Sequence, residues 1–294
     1  MKKFLIFLFL FLLIFCRSSA NNQDIIESNS VQVIVNGKKN ELTSPVLFTN
    51  DSLLFPLRNL LQLLPSSGVE IFWEEKEKQV MLLAENSTLT FQIDSDTALL
   101  NDTPFTLSAT PILYKNQTFI PLRIVSEFLD CRIAWDNPSK SVFIKSFSDF
   151  YESEAIFRQS TAALKKVSSV KMDVINEITN PQGSFSFGHS IYVDKNANTI
   201  YTKNVLNSDW NLSAENVLSN SPEYEEQLLP FCFSLDKTKS NENTYVLTGF
   251  YPSKKGTLNE SSLFIDTTNL QVVKLTTKTD FQVQNVLYQY EVRL

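Results

Sequence analysis

Val31, Val33 and Val35 recur at every second position, and Asn36-Gly37 follows at once. Period-two alternation predicts a strand with one buried face, and Asn-Gly suits a tight hairpin turn whose two central residues need positive φ. Ala98, Leu100 and Asn101-Asp102 give a weaker version of the same signal, with Asn101 standing 65 positions after Asn36. Leu54-Phe55-Pro56-Leu57-Arg58 returns at the same spacing as Phe119-Ile120-Pro121-Leu122-Arg123. Proline loses nothing in a first helical turn, where an N–H has no partner anyway, so helices are expected to begin at Pro56 and Pro121. Leu57, Leu60, Leu61 and Leu64 form one apolar stripe, as do Leu122, Val125 and Leu129, widened by Ile124 and Phe128. Strands over 69–73, 80–83, 132–135 and 142–144 follow. Here Trp73-Glu74 and Trp135-Asp136 are 62 apart, because residues 65–68 are longer than the corresponding Asp130.

A repeat of this length means one supersecondary unit used twice. Each unit reads as strand-strand-helix-strand-strand, over about 31–83 and 96–145. A unit of about 60 residues is marginal alone, so the two are expected to share a core.

Residues 145–152 are polar with interleaved Phe and carry no repeat signal, which places a domain boundary there. A helix is expected over 154–166, then strands over 170–178, 184–193, 199–205, 244–251, 262–265, 272–279 and 283–292. A polar insert of helical character, about 213–229, interrupts them. Tyr288 and Tyr290 alternate with Gln289 and Glu291, the pattern of a sheet with one buried and one wet face. The expected class is α+β: a duplicated strand-strand-helix-strand-strand module over 31–145, followed over 151–294 by a mostly antiparallel curved sheet with a leading helix.

Val31-x-Val33-x-Val35-Asn36-Gly37, then Leu54-Phe55-Pro56-Leu57-Arg58, an amphipathic helix, Ile71-x-Trp73 and the second Pro-Leu-Arg…Trp together resemble the copper amine oxidase N-terminal-like (stalk) domain. The resemblance covers about 31–145 and implies a non-catalytic module of secreted Gram-positive proteins. The family's helix ends in Glu-x-Leu-Gly; here Glu127-Phe128-Leu129-Asp130 puts Asp at the glycine, and the first unit has Gln62 at the Glu. Copper is not expected, since the enzyme's type-2 site needs three imidazoles and this chain has one histidine, His189. The leading helix, the meander and Ile265-Asp266…Val272-x-Lys274 give 151–294 a weaker similarity to the LolA/LppX-like lipoprotein-carrier superfamily. That resemblance implies a curved sheet closed over helices, with a hollow able to hold acyl chains. A filled core without a cavity is the other reading.

At the N-terminus, Lys2 and Lys3 precede an apolar run from Phe4 to Cys16 and a small-residue site at Ser18-Ser19-Ala20, the layout of a secretory signal peptide over 1–20. Thirteen residues of helix cover about 20 Å, short of a bilayer core of roughly 30 Å. Cleavage after Ala20 is expected; a lipid anchor at Cys16 is the alternative. Either way the chain is placed in the cell envelope or outside the cell. Its Lys-, Asn- and Phe-rich, Gly-poor composition suits a low-GC Gram-positive bacterium. Removing residues 1–20 takes away Lys2, Lys3 and Arg17, leaving 23 basic against 32 acidic groups, a net charge of −9. That sign disfavours nucleic acid. Cys131 and Cys232 are too few for a disulfide framework, and Cys131 reads as a small core residue.

No catalytic residue, cofactor or metal site is assigned. His189 is expected on the wet face of a strand, no Gly-x-Ser-x-Gly elbow is present, and six glycines leave little room for a phosphate loop. The residues singled out are repeat positions: Pro56, Arg58, Trp73, Pro121, Arg123, Glu127 and Trp135. Arg123 can reach Glu127 at i+4, and Arg58 can reach Gln62. Structural arginines and half-buried tryptophans are favoured over ligand or carbohydrate contacts. The resulting reading is a non-enzymatic envelope protein that contacts wall or protein. A carrier or sensor of a hydrophobic ligand is the alternative, and a hydrolase is a distant third.

Overall fold

The computed structural model describes residues 25–49, 52–64, 68–204, 209–215, 223–253 and 255–292. The signal-peptide reading and Cys16 therefore lie outside the described residues. In chain order come β1 (Ile26–Ser28), β2 (Gln32–Val35), β3 (Lys38–Asn40), β4 (Val46–Thr49), β5 (Ser52–Pro56) and helix α1 (Leu57–Leu63). Next are β6 (Glu70–Glu74), β7 (Gln79–Ala84), β8 (Ser87–Gln92), β9 (Thr97–Leu100) and β10 (Thr103–Thr106). The segment then runs through β11 (Ile112–Tyr114), β12 (Gln117–Pro121), α2 (Leu122–Phe128), β13 (Cys131–Asp136) and β14 (Ser141–Ser146). The molecule is mostly β, with few helices and curved antiparallel sheets.

Two hairpins, rather than one pair of strands, precede each helix. The additional strands β3, β4, β10 and β11 are three or four residues long, and β3 and β10 are largely exposed, so they carry no clear alternation. The turns follow the sequence reading. Asn36 and Gly37 have φ of 47° and 72°, and Asn101 and Asp102 have 49° and 62°. Each turn asparagine also clamps a neighbouring strand: Asn36 Oδ1 accepts the Ser146 N–H at 3.0 Å, and Asn101 Oδ1 accepts the Thr88 N–H at 2.8 Å.

The central sheet has the order β1-β4-β5-β12-β11. Within it β5 and β12 are antiparallel, and Phe55 pairs with Ile120, its counterpart 65 positions on. Each strand ends at a proline, Pro56 or Pro121, after which a helix begins; proline can end a ladder that needs no further N–H and open a helix in the same step. Leu57, Leu60 and Leu64 of the first stripe and Leu122, Ile124 and Phe128 of the second are buried in one core with Phe55 and Ile120. The flanking sheets mix both halves. One has the order β13-β14-β2-β3, with β14 parallel to β2; the other runs β10-β9-β8-β7-β6.

The second half continues without a linker. The segment expected to be a polar boundary is helical: α3 (Phe147–Lys165) follows β14 directly, with Asp149 in its first turn and Lys165 in its last, each placed to suit the helix dipole. The remaining elements are β15 (Ser169–Asn180), β16 (Gly183–Asp194), β17 (Thr199–Asn204), β18 (Asn211–Glu215), α4 (Glu223–Cys232), β19 (Phe233–Leu235), β20 (Thr244–Pro252), β21 (Leu258–Asp266), β22 (Val272–Lys278) and β23 (Gln282–Tyr290). Their nine strands form one sheet, β18-β17-β16-β15-β23-β22-β21-β20-β19. The polar insert resolves into β18 and α4, and β19 is an addition to the expected set.

Helices α3 and α4 lie between two sheets. Ile34 and Phe143 on one side, Ile156, Phe157 and Leu228 in the middle, and Phe233, Leu247 and Leu263 on the other form one apolar cluster. At its edge sits Lys145, fully buried. Its Nζ donates to Ser153 Oγ at 3.0 Å, Phe233 O at 2.5 Å and Ser234 Oγ at 3.1 Å, and meets Asp149 Oδ2 at 2.8 Å. Burial pushes this ammonium below the ordinary lysine range, while Asp149 pulls it back. Two glycines also let backbones approach across the boundary. A Cβ on Gly37 would lie 2.7 Å from Thr248 O, and one on Gly256 would lie 2.4 Å from Pro138 O.

Removing one member of a buried ion pair strands its partner, at a cost of about 3 kcal/mol. Lys145→Ala should therefore lower unfolding free energy in urea by about that amount. The double change Lys145→Met/Asp149→Ala, which leaves neither charge unpaired, should recover much of it.

Candidate functional site

The nine-stranded sheet has one face that is largely apolar from β19 across to β15 and β16, and turns polar at Asn204 and Thr202 of β17. A single row of paired residues runs Leu235, Leu247, Leu263, Leu275, Val286, Val174, His189. Under α3 and α4 this row is core, with Leu247 wholly buried. Beyond the helices the same face continues as Met172, Ile178, Ile191 and Tyr288, all half-buried, and ends at Phe185 and Phe187. Those two rings stack at 6.2 Å and 24° and are 52% and 50% exposed.

Polar groups beside the apolar row are tied to one another. Asn176 is buried, and its Oδ1 accepts from Gln282 Nε2 at 2.6 Å and Gln284 Nε2 at 2.9 Å. Tyr290 Oη donates to Val272 O at 2.6 Å, and burial raises the pKa of both Tyr288 and Tyr290. The opposite face carries the charges. There Lys171 meets Asp173 at 3.0 Å, and Ser190 Oγ donates to the same carboxylate at 2.6 Å. Burial alone would raise Asp173, but the Ser190 hydroxyl and the Lys171 ammonium hold it below its ordinary value.

His189 corrects a sequence expectation. It pairs with Val174 and stands in phase with Phe185, Phe187 and Ile191, so it lies on the apolar face rather than the wet one. The odd-numbered apolar residues around it were the signal.

The repeat positions line two clefts. Pro56, Arg58 and Trp73 line one of about 410 Å³, with Leu113, Gln117 and Thr118 across it. Pro121, Arg123 and Trp135 line another of about 1300 Å³, with Phe48, Ser52 and Leu53 across it. Leu113, Gln117 and Thr118 stand 65 positions after Phe48, Ser52 and Leu53, so equivalent residues build both clefts. Arg58 and Arg123 are exposed at their rims. Trp73 is 41% exposed and donates from Nε1 to Glu75 Oε2 at 2.6 Å, whereas Trp135 is half-buried against the core. The second cleft alone is bordered by the C-terminal half, through Phe150, Tyr151, Glu154 and Phe231. The Glu127 side chain lies outside the described residues.

Residues 34–144 match the family model of the copper amine oxidase N-terminal domain. The match falls on the segment where the sequence resemblance was read. A copper centre does not fit this module, since its 34–144 segment contains no histidine. Among the described residues no group of three His, Cys, Asp or Glu could hold a metal ion, and no helix is long and apolar enough to cross a membrane. No curated protein matches the chain. Among solved structures, the lipoprotein LppX of Mycobacterium tuberculosis is similar at a TM-score of 0.33 and 13% identity, over 49% of this chain and 97% of that one. LprF of Mycobacterium bovis is similar at 0.30 and 14%, over 49% and 95%. An outer membrane lipoprotein-sorting protein domain from Vibrio parahaemolyticus follows at 0.27 and 7%, over 49% and 94%. The weaker sequence resemblance, over 151–294, pointed to this group.

Both described cysteines are free and buried, Cys131 in the module core and Cys232 as the last residue of α4. Burial, with Asp130 nearby, pushes the Cys131 thiol up to about 11, and burial raises Cys232 further. A thiol kept protonated and covered is a poor nucleophile. Ellman's reagent at pH 8 should leave both unlabelled in the folded protein and label both in denaturant.

Proposed function

We propose that this chain is a non-enzymatic envelope protein whose C-terminal sheet takes up a hydrophobic ligand with at least one acyl-like chain. The observation that carries the reading is the continuity of the apolar face from the core under α3 and α4 out to the open Phe185–Phe187 pair. Exposed aromatic surface of that kind is costly to leave in water and favours an apolar partner. The face offers no charged side chain along the Val174 row, so recognition would rest on area, with Asn176, His189 and Tyr288 as the polar fixtures. The ligand would lie across β15, β16 and β23.

A second reading concerns the module over 31–145, as a spacer that contacts wall or another protein. Its support is the repetition: we read the two halves as copies of one unit placed about a local two-fold axis through the Phe55–Ile120 pair. Arg58 and Arg123 would then be rim residues of equivalent clefts rather than catalytic groups.

A fluorescent fatty acid such as cis-parinaric acid should bind the protein saturably, and native mass spectrometry of host-expressed protein should show an adduct that solvent extraction removes. Placing a charge on the aromatic pair by Phe187→Asp should weaken the probe at least tenfold, since burying one Phe is worth about 2 kcal/mol. Non-saturable binding, or binding indifferent to Phe187→Asp, would refute the ligand reading.

A further inference from the structure

The two flanking sheets of the module have equivalent outer faces with unequal fates. On the β13-β14-β2-β3 sheet, that face presents Ala134, Phe143 and Ile34, and α3 and α4 bury it completely at Ile34 and Phe143. The equivalent positions on the other sheet are Phe72 and Met81, each 62 positions earlier, and Leu99, 65 positions later than Ile34. Phe72 pairs with Met81, Met81 with Thr90, and Thr90 with Leu99, so these side chains form one row across the sheet. They are 43%, 37% and 38% exposed, and Leu83 beside them is 40% exposed. Nothing described covers this row.

We propose that this face docks a protein partner through an apolar, aromatic-bearing helix flanked by lysine or arginine. The inference gives a surface to the contact role of the module and is independent of the ligand on the nine-stranded sheet. The occupant's shape is argued from the equivalent interface within the chain. There α3 and α4 cover the outer face and at the same time border the neighbouring cleft with Phe150, Tyr151 and Phe231. The cleft beside the open face, lined by Ile71, Trp73 and Leu113, lacks such a border, and those three residues are exposed.

The occupant's charge follows from what differs between the two faces. On the covered sheet Arg132 donates to Tyr151 Oη at 2.9 Å, and Lys145 meets Asp149 of the incoming helix. At the equivalent positions the open sheet has Glu70 and Leu83, with Glu74 further along β6. The strands of this face thus carry carboxylates and no lysine or arginine, with Lys76 and Lys78 confined to the β6–β7 turn, which favours a basic occupant. A second copy of this chain is a poor one. Five strands spaced about 4.8 Å apart and about 17 Å long make a face near 400 Å², half of what each side of a standard interface buries.

The probe is a synthetic peptide of residues 147–165 with Asp149, Glu152 and Glu154 replaced by lysine, which keeps the aromatic face of α3 and reverses its charge. Titrated against the full-length mature protein, it should bind saturably, and the unmodified 147–165 peptide should bind at least tenfold more weakly. The double variant Met81→Lys/Leu99→Lys should abolish binding of the basic peptide while leaving thermal unfolding and fatty-acid binding unchanged, since both side chains already meet solvent. Absence of binding at millimolar peptide, or binding that persists in the double variant, would overturn the proposal. So would a concentration-dependent dimer in sedimentation that the double variant dissolves, because it would assign the face to a second copy.

Discussion

The pairing of Phe55 with Ile120 is the constraint from which the rest of the architecture follows. Two strands that each end in proline can sit side by side at the centre of a sheet only if their chains leave at opposite ends. Pro56 and Pro121 then send α1 and α2 away on either side, and each helix delivers its following hairpin to the far flank. Hairpin β13–β14 therefore closes on β2–β3 from the other half, and β6–β7 joins β9–β10 through β8. Neither half owns a complete flanking sheet. A core shared in this way unfolds as one unit, because opening either half exposes apolar positions of both.

The same exchange determines where the C-terminal half can attach. Because β14 lies between β13 and β2, its outward residues and those of β2 form the one patch from which α3 departs without a linker. Phe147 begins the helix one residue after the strand ends, and the Ser146 N–H is held by Asn36. The helix then has apolar sheet on two sides. Lys145 carries a charge into that sandwich, and it is tolerated because Asp149, two serine hydroxyls and a carbonyl surround its ammonium.

What the sequence revealed was local. Asn36-Gly37 and Asn101-Asp102 announced turns through the backbone conformations those residues accept, and the prolines and leucine stripes announced α1 and α2. The short strands β3 and β10 could not be heard, since three or four mostly exposed residues give no period. Residues 147–151 read as a linker because Ser148, Asp149 and Glu152 are interleaved with the aromatics, although Phe147, Phe150 and Tyr151 stand at i, i+3 and i+4 of one helical stripe. In the fold they serve two surfaces, with Tyr151 against Arg132 and Phe150 against Phe231. His189 was legible and misread: the alternation placing it beside Val174 is plain in Phe185-x-Phe187-x-His189-x-Ile191. The exchange of hairpins between halves lies beyond any local pattern, because it depends on which strand edges meet after the centre has formed.

Positions at the repeat spacing on the two flanking sheets differ in charge. Leu83 and Lys145 occupy the same place on the two flanking sheets, as do Glu70 and Arg132. A lysine that will be buried needs a counter-charge always at hand, and Asp149, four residues along the same chain, supplies one whatever else is bound. A face that meets its occupant only intermittently has no such guarantee. There an ammonium would be solvated when empty and would pay desolvation on each encounter, whereas Leu83 and its neighbours gain from burial and Glu70 stays at the hydrated rim. Leu83 also spares that face any dependence on a carboxylate arriving with the partner. On the docking proposal, the difference in charge between the two sheets would separate a contact made within the chain from one made with a partner.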